Sequence, residues 1–345
     1  MKIEDRINAF TRLGEEIIQT QSNSPQTLFW ENVRAAHIKN PWFTPEFSEE
    51  AIIAIAKKWL TKKTLLAWIS TYPKEYFRLT GPKTIGVVMA GNIPFVGFHD
   101  FLCVLISGHR FMGKISSKDG GLMQAIVDML IGIEPRFSEQ VVLTENFLQN
   151  FNAVIATGND NSARYFDYYF GKYPNIIRRN RHSVAVLTGN ENDQDIQELA
   201  KDIFTFFGLG CRNVSTLLVP ADYDLTKLFQ AFEPYKYLIN HNKYANNYEY
   251  HRAIYIMNGY QHLDNGFVLL KPDEALGSPV GVLFYQYYTS IQQVNEYIES
   301  HGDSLQCIVS QCIDIDIRIA FGATQQPEVA DYADGVDTIE FLGNL

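Results

Sequence analysis

From Thr84 onward, short β-branched runs alternate with segments of helix length, and this alternation restricts the fold more than any other feature of the chain. Strand-like runs fall at residues 85–89, 111–115, 141–143 and 153–156. Helix-length segments at 95–107, 121–131 and 162–170 separate or follow them. A strand reached by a crossover of that length pairs in parallel with its predecessor, because a tight turn can only return an antiparallel one. A second series begins near Ser183, with strand-like runs at 184–187, 215–219, 267–270, 280–287 and 305–309 and helix-like segments at 195–207 and 291–300. The predicted class is α/β, with two doubly wound parallel-sheet domains and a cleft between them. The first eighty residues read as helices. Within 49–70, Ile52, Ile53, Ile55, Ala56 and Leu60 recur at helical spacing with lysines on the other face.

The expected domains are 1–182 and 183–320, followed by a tail at 321–345. The junction is placed at 175–182, a polar stretch carrying Arg178, Arg179, Asn180, Arg181 and His182. The tail is acidic and loop-rich until 338–342, which reads as an added edge strand or an oligomer contact.

Composition narrows the class of partner. A net charge of −10 over 345 residues offers nothing to offset repulsion from a phosphate backbone, so no nucleic-acid partner is expected. The densest apolar run, 101–106, is far too short to span a bilayer. The first residues are charged and then amphipathic, unlike a signal peptide, and a cytoplasmic location is expected. Cysteines at 103, 211, 307 and 312 form no CxxC and no metal spacing, which argues against a disulfide framework and against a bound metal. The 19 tyrosines and 23 phenylalanines read first as aromatic packing and second as the walls of an apolar pocket, with 235–238 and 284–288 as candidate walls.

Cys103 and Cys307 sit in apolar or alternating runs and read as small buried hydrophobes, as does Cys312. Cys211 differs. Gly208 and Gly210 remove side-chain bulk beside it, and Arg212 follows directly, a cation that favours the thiolate. The residues alone leave two readings of Cys211 open: a nucleophile, or a helix C-cap whose cysteine packs. Asn92, in the loop that follows the first strand of the sheet, has the amide to aim at a developing oxyanion; as a turn-former before Ile93-Pro94 it has an ordinary reading too. Thr157, Gly158 and Asn159 lead from a strand end into a helix, where phosphates are attracted to amides and dipole. No GxGxxG or Walker motif is present.

Taken in order, these loops resemble the aldehyde dehydrogenase superfamily. The strand and Asn-x-Pro loop of that superfamily are matched by 82–94, with Asn92. Its Gly-Asn-x-x-x-x-Lys strand is matched by 108–114, where His109 replaces Asn and Lys114 is kept. Its Thr-Gly-Ser loop is matched by Thr157-Gly158-Asn159, its Gly-Gln-x-Cys loop by Gly208-Leu-Gly-Cys211, and its Glu-x-Phe-Gly-Pro-Val segment by 274–280 with one inserted residue. Within the superfamily the chain looks most like the long-chain fatty acyl-CoA reductases of the bacterial bioluminescence type. Hydrolytic members carry a general-base Glu ahead of the cysteine; the corresponding stretch here, 176–182, contains no carboxylate.

The resemblance implies a dinucleotide-binding domain within 1–182 and a catalytic domain within 183–320. Cys211 would attack an acyl thioester, Asn92 and the Cys211 N–H would hold the oxyanion, and coenzyme A would leave. NADPH, with NADH as the alternative, would reduce the acyl-enzyme to an aldehyde. Lys114 and Glu274 match ribose-binding positions, and Thr157, Gly158 and Asn159 match the loop near the pyrophosphate. Arg110 and Lys118 are near Lys114 in sequence and favour the additional phosphate of NADPH, with solvated surface charge as their plain reading. The 178–182 cluster is read either as a contact for coenzyme A phosphates or as a solvated junction. A homodimer or an acyl-donor protein is the expected macromolecular partner. Two rivals stay open: an acyl-phosphate reductase of the glutamyl-phosphate type, and a Cys-dependent acyltransferase or thioesterase that uses no nicotinamide.

Overall fold

In the computed structural model, parallel pairing is realised twice, in two units formed by Met1–Asn180 with Glu328–Leu345 and by Arg181–Pro327. All residues are described except Ser24, Pro25, Leu79, Thr80 and Ile317, and Asp160 is described by its backbone alone.

The first unit opens with four helices, α1 (Ile3–Asn23), α2 (Leu28–Lys39), α3 (Pro45–Lys58) and α4 (Lys62–Ile69). Phe10, Leu13 and Ile17 put the apolar stripe of α1 at zero exposure. The sheet follows: β1 (Thr84–Val88), α5 (Phe98–Ser107), β2 (Arg110–Lys114), α6 (Leu122–Ile133), β3 (Val141–Thr144), β4 (Ala153–Thr157), α7 (Asp160–Phe170) and β5 (Asn175–Arg178). Its five strands are all parallel, in the order β3-β2-β1-β4-β5. The chain winds outward from β1 to β3, then returns to the other side of β1 as β4. That reversal opens a crevice at the carboxyl ends of β1 and β4, where doubly wound sheets bind ligands. The apolar run 101–106 is the middle of α5, every residue of it at zero exposure. Each such aliphatic side chain contributes roughly 1.5–3 kcal/mol by leaving water.

The second unit comprises β6 (His182–Val186), α8 (Asp193–Phe204), β7 (Val214–Pro220), α9 (Thr226–Phe232), α10 (Asn242–Asn258), β8 (Leu263–Asp264), β9 (Leu269–Pro272), β10 (Val282–Tyr288), α11 (Ile291–His301) and β11 (Leu305–Ser310). Its order is β11-β6-β7-β10-β9-β8, parallel throughout except for β8 against β9. The start of α8 is fixed by a capping box between Asn192 and Asp195.

Two expectations are corrected. The segment read as an edge strand is a helix, α12 (Thr338–Gly343): Asp337 accepts the Glu340 N–H at 2.9 Å, and Ile339 and Leu342, three apart, are buried on one face. It belongs to the first unit, which the chain rejoins at Glu328. The boundary between the two units falls after Asn180, within the stretch 175–182, which also contains β5 with its buried Arg178. The helix expected over 195–207 stops at Phe204, because Phe206 and Phe207 take left-handed conformations.

Candidate active site

Of the four cysteines, only Cys211 is exposed. Cys103 and Cys307 are buried, as read from the sequence, and burial pushes the Cys103 thiol well above its ordinary pKa, so it stays protonated and inert.

Cys211 lies three residues before β7, in a loop with a costly backbone. Phe206, Phe207 and Gly208 have φ of 54°, 58° and 73° in succession. A left-handed conformation costs a non-glycine residue about 1–3 kcal/mol. Burial of both phenylalanines maintains it, with the Phe207 ring 4.5 Å from that of His241. Asn213 holds the other side. Buried itself, it accepts the Gly210 N–H at 2.8 Å and donates to the carbonyls of Asp202 and Thr205 at 3.0 and 2.9 Å. Ser183, on β6, donates its hydroxyl to the Cys211 carbonyl at 2.9 Å. The backbone on both sides of the thiol is therefore tied to α8, to β6 and to itself.

Arg212 donates through Nε to the Thr324 carbonyl at 2.5 Å. The same segment is held by Asp202, which accepts from Gly322 N, Thr324 N and Thr324 Oγ1 at 2.7, 3.0 and 2.8 Å. Burial raises the Asp202 pKa, and these bonds pull against it. Sequence reasoning missed both Asn213 and Asp202. Asn213 carried a signal as a turn-type residue two places after Cys211, but Asp202, inside a helical run, carried none.

Glu274 is exposed, in the loop between β9 and β10. Its neighbours pin that loop to β7: Ser215 Oγ donates to Leu276 O at 2.7 Å and Thr216 Oγ1 to the same oxygen at 2.8 Å. A Cβ on Gly277 would fall 2.3 Å from the His182 ring, so a larger residue there would have to displace that ring. The loops of Glu274 and Cys211 thus meet at the start of β7.

In the first unit, the remaining sequence-selected residues gather at the carboxyl edge of the sheet. Asn92 is exposed in the loop after β1. A Cβ on Gly91 would meet Ser116 Oγ at 2.5 Å, so this loop lies directly on the one after β2. Lys114 ends β2 and donates through Nζ to the carbonyls of Glu145 and Asn146, at 2.8 and 3.4 Å, beyond the end of β3. Thr157 ends β4, and Asn159 caps α7 by accepting the Ser162 N–H at 2.9 Å. Asn92, Lys114, Thr157, Gly158 and Asn159 fall in the first unit; Cys211 and Glu274 fall in the second.

Other charged residues do not take the places expected of them. Arg110 begins β2, whereas Lys114 ends it, four residues or roughly 13 Å away at strand rise. Arg110 therefore cannot serve a phosphate held at the Lys114 end. Lys118 is on the carboxyl side, exposed. Arg178 is neither solvated nor open to a ligand, since it pairs with buried Asp100 at 2.6 Å. Arg179 pairs with Asp167, and Arg181 donates to the Leu305 carbonyl. His109, which replaces the superfamily's Asn, is buried at the start of β2 and bonds to Lys83 N and Leu342 O. Of the expected pocket walls, Phe284 and Tyr285 are buried in packing, and Tyr235 stacks on Phe204.

No protein-family model matches the chain, and no curated protein matches it in sequence. Solved structures do match. Aldehyde dehydrogenase 21 from Physcomitrella patens, in complex with succinate, superposes with a TM-score of 0.69 at 11% identity over 100% of this chain and 84% of its own. A mutant propionaldehyde dehydrogenase from the fucose utilisation microcompartment of Clostridium phytofermentans gives 0.60 at 12% identity over 95% and 82%. A mutant aldehyde dehydrogenase C from Pseudomonas syringae, complexed with NAD+ and octanal, gives 0.65 at 11% over 91% and 74%. The fold is that of the aldehyde dehydrogenases.

An aldehyde dehydrogenase fold raises the question whether the first unit suits a dinucleotide, and its residues fit one. A Cβ on Gly158 would lie 2.8 Å from both Phe166 Cε2 and Ser162 Cβ, so glycine alone lets the start of α7 close onto β4 beside the crevice. Lys114 Nζ, held on the carbonyls of Glu145 and Asn146 and 5.5 Å from the centroid of the Phe147 ring, keeps a cationic donor at this edge. Among the described residues no cluster suited to a metal ion occurs, and no helix is long and apolar enough to cross a membrane.

Proposed function

We propose that this protein is an oxidoreductase that reduces an acyl thioester to an aldehyde, with Cys211 as the nucleophile and NADPH or NADH as reductant. One observation carries the reading: Cys211 is exposed in a loop whose backbone is fixed on both sides, while Cys103 and Cys307 are packed away. A structural cysteine gains nothing from a strained, clamped and exposed loop. A nucleophile that must meet a carbonyl carbon in one geometry does.

In this reading the Cys211 sulfur bonds to the acyl carbon, the Cys211 N–H stabilises the developing oxyanion, and the carbon–sulfur bond to coenzyme A breaks with release of its thiol. The nicotinamide, when bound, supplies hydride to the acyl carbon; with a proton, the Cys211–carbon bond then breaks to give aldehyde and restored thiol. Within the first unit, Lys114 would hold ribose, and Thr157, Gly158 and Asn159 would face the pyrophosphate. With Arg110 at the far end of β2, Lys118 alone supports NADPH over NADH. The absence of a carboxylate from 176–182 favours the reductive direction, since nothing there activates water against the thioester. A long acyl chain on coenzyme A or on a carrier protein is the proposed donor.

Intact-mass measurement tests the reading. A long-chain acyl-CoA supplied without cofactor should add one acyl mass, Cys211→Ala should abolish the adduct, and NADPH or NADH should discharge it as aldehyde. An adduct that never consumes nicotinamide would instead establish an acyltransferase or thioesterase. Adduct formation by the Ala variant at the wild-type level would remove Cys211 from the mechanism.

A further inference from the structure

The first unit has a second concavity, at the amino edge of its sheet and so opposite the loops described above. Arg110 at the start of β2, Pro82 before β1 and Gln140 before β3 mark that edge, and together with the start of α1 they border a cavity of about 990 Å³. Five cationic side chains line it, Lys2, Arg6, Arg78, Arg110 and Arg136, against three carboxylates, Glu4, Asp5 and Glu139. Such an excess of cations is notable in a chain of net charge −10.

Arg136 is neutralised locally, by Glu134 at 2.7 Å and Asp5 at 3.1 Å. Among the described residues, Arg6, Arg78 and Arg110 form no ion pair with any carboxylate. Arg6 is only 2% exposed. Its Nη2 donates to the Phe77 carbonyl at 2.7 Å, and among the described residues its buried Nε has no hydrogen-bond partner. Burial lowers its pKa to about 10, with Glu4 and Asp5 pulling the other way from a distance. The guanidinium lies over Gly108, where a Cβ would come within 1.9 Å of Nη1, and Gly108 itself has φ of 95°. A buried guanidinium without a counter-ion is expensive unless an anion completes it.

We infer that this cavity is a binding site for a phosphorylated small molecule, with buried Arg6 as its anchor and Arg78 and Arg110 as the outer arms. Planar guanidinium groups suit phosphate oxygens, which accept paired N–H donors from a fixed fork. The volume accommodates a ligand of nucleotide size rather than a lone ion. The inference does not depend on the acyl-reductase reading, because the site lies at the other edge of the sheet and uses none of the residues proposed for catalysis.

Calorimetric titration of the full chain with inorganic pyrophosphate, and separately with adenosine diphosphate, tests it, with amide hydrogen exchange locating the site. Saturable binding is expected, with protection at residues 1–6 and 108–112. Exchange of the two exposed arms, Arg78→Gln with Arg110→Gln, should raise the dissociation constant about tenfold or more. Should that pair misfold, Arg78→Gln alone should give a smaller loss of the same kind. Tighter binding of the diphosphate nucleotide would identify a nucleoside-bearing ligand, and equal binding would assign recognition to the phosphates; both sustain the site. Protection confined to 157–162, equal affinity in the double variant, or no binding at about 10 mM would overturn it.

Discussion

Arg178 lays its two terminal nitrogens on the two carboxylate oxygens of Asp100, at 2.6 and 2.9 Å, with each side chain only 6% exposed. A third bond, from Nη2 to Thr338 Oγ1 at 3.1 Å, brings α12 into the same cluster. Burial works against the Arg178 charge, but Asp100 more than restores it and holds the pKa above its ordinary value. Strand β5, helix α5 and helix α12 are thus joined at one polar point inside an apolar region. Truncating one partner of such a pair strands a buried charge and costs about 3–5 kcal/mol. Arg178→Met should lower the urea unfolding free energy by about that amount. Asp100→Leu combined with Arg178→Met should recover most of the loss. A single variant as stable as the parent would show that the pair contributes nothing.

Stability should also fall on mild acidification. His109 accepts the Lys83 N–H at Nδ1, so the ring proton sits on Nε2 and is donated to Leu342 O, both at 3.1 Å. Burial lowers the pKa of His109, and does the same for His99, whose Nε2 meets Val329 O at 2.8 Å. The unfolded chain therefore takes up these protons first, near pH 6.5, and unfolding is favoured as pH falls from there towards the lower folded pKa values. The slope is at most about 1.4 kcal/mol per pH unit for each histidine. Melting temperature should drop between pH 7 and 5, and His109→Gln should flatten the drop. A parent protein whose melting temperature is level across that range would refute the assignment.

What could be read from the sequence divides along a physical line. Strands β1 to β4 and their crossover helices were legible because β-branched runs and helical spacing are local signals. Strand β5 was not, because Asn175 and Arg178 look polar until Asp100, 78 positions earlier, is brought beside Arg178. Helix α12 was misread although its signal was present: Asp337 ahead of Thr338, then Ile339 and Leu342 three apart. Within the site, Cys211 was distinguished by its glycines, and the side chains that fix its loop were not. Asn213 and Asp202 act through backbone groups of residues that the sequence gives no reason to pair.

Asn213 should matter for reactivity more than for folding. Its three bonds to Gly210, Asp202 and Thr205 are worth about 1 kcal/mol each, so Asn213→Ala should cost roughly 1–3 kcal/mol and leave the protein folded. Once the loop relaxes, the thiol is no longer presented in one geometry, and acylation of Cys211 should slow by about 10- to 100-fold. The rate of adduct growth by mass spectrometry, compared with unchanged far-UV circular dichroism, reads this out. Acylation at the parental rate would mean that the clamp is merely structural.

Gly158 offers the complementary experiment, one that separates cofactor from thiol. Its added Cβ would stand 2.8 Å from Phe166 Cε2 and from Ser162 Cβ, both on α7; the Phe166 ring can turn aside, but Ser162 Cβ withdraws only if the helix moves. Overpacking of this kind costs about 1–3 kcal/mol and displaces the start of α7 with its Asn159 cap. If the pyrophosphate is met there, Gly158→Ala should raise the NADPH dissociation constant about tenfold. The acyl adduct on Cys211 should form at the parental rate, since its loop is built wholly from the second unit. A variant that binds NADPH as tightly as the parent would place the dinucleotide elsewhere, and one that loses both properties would point to a general loss of structure.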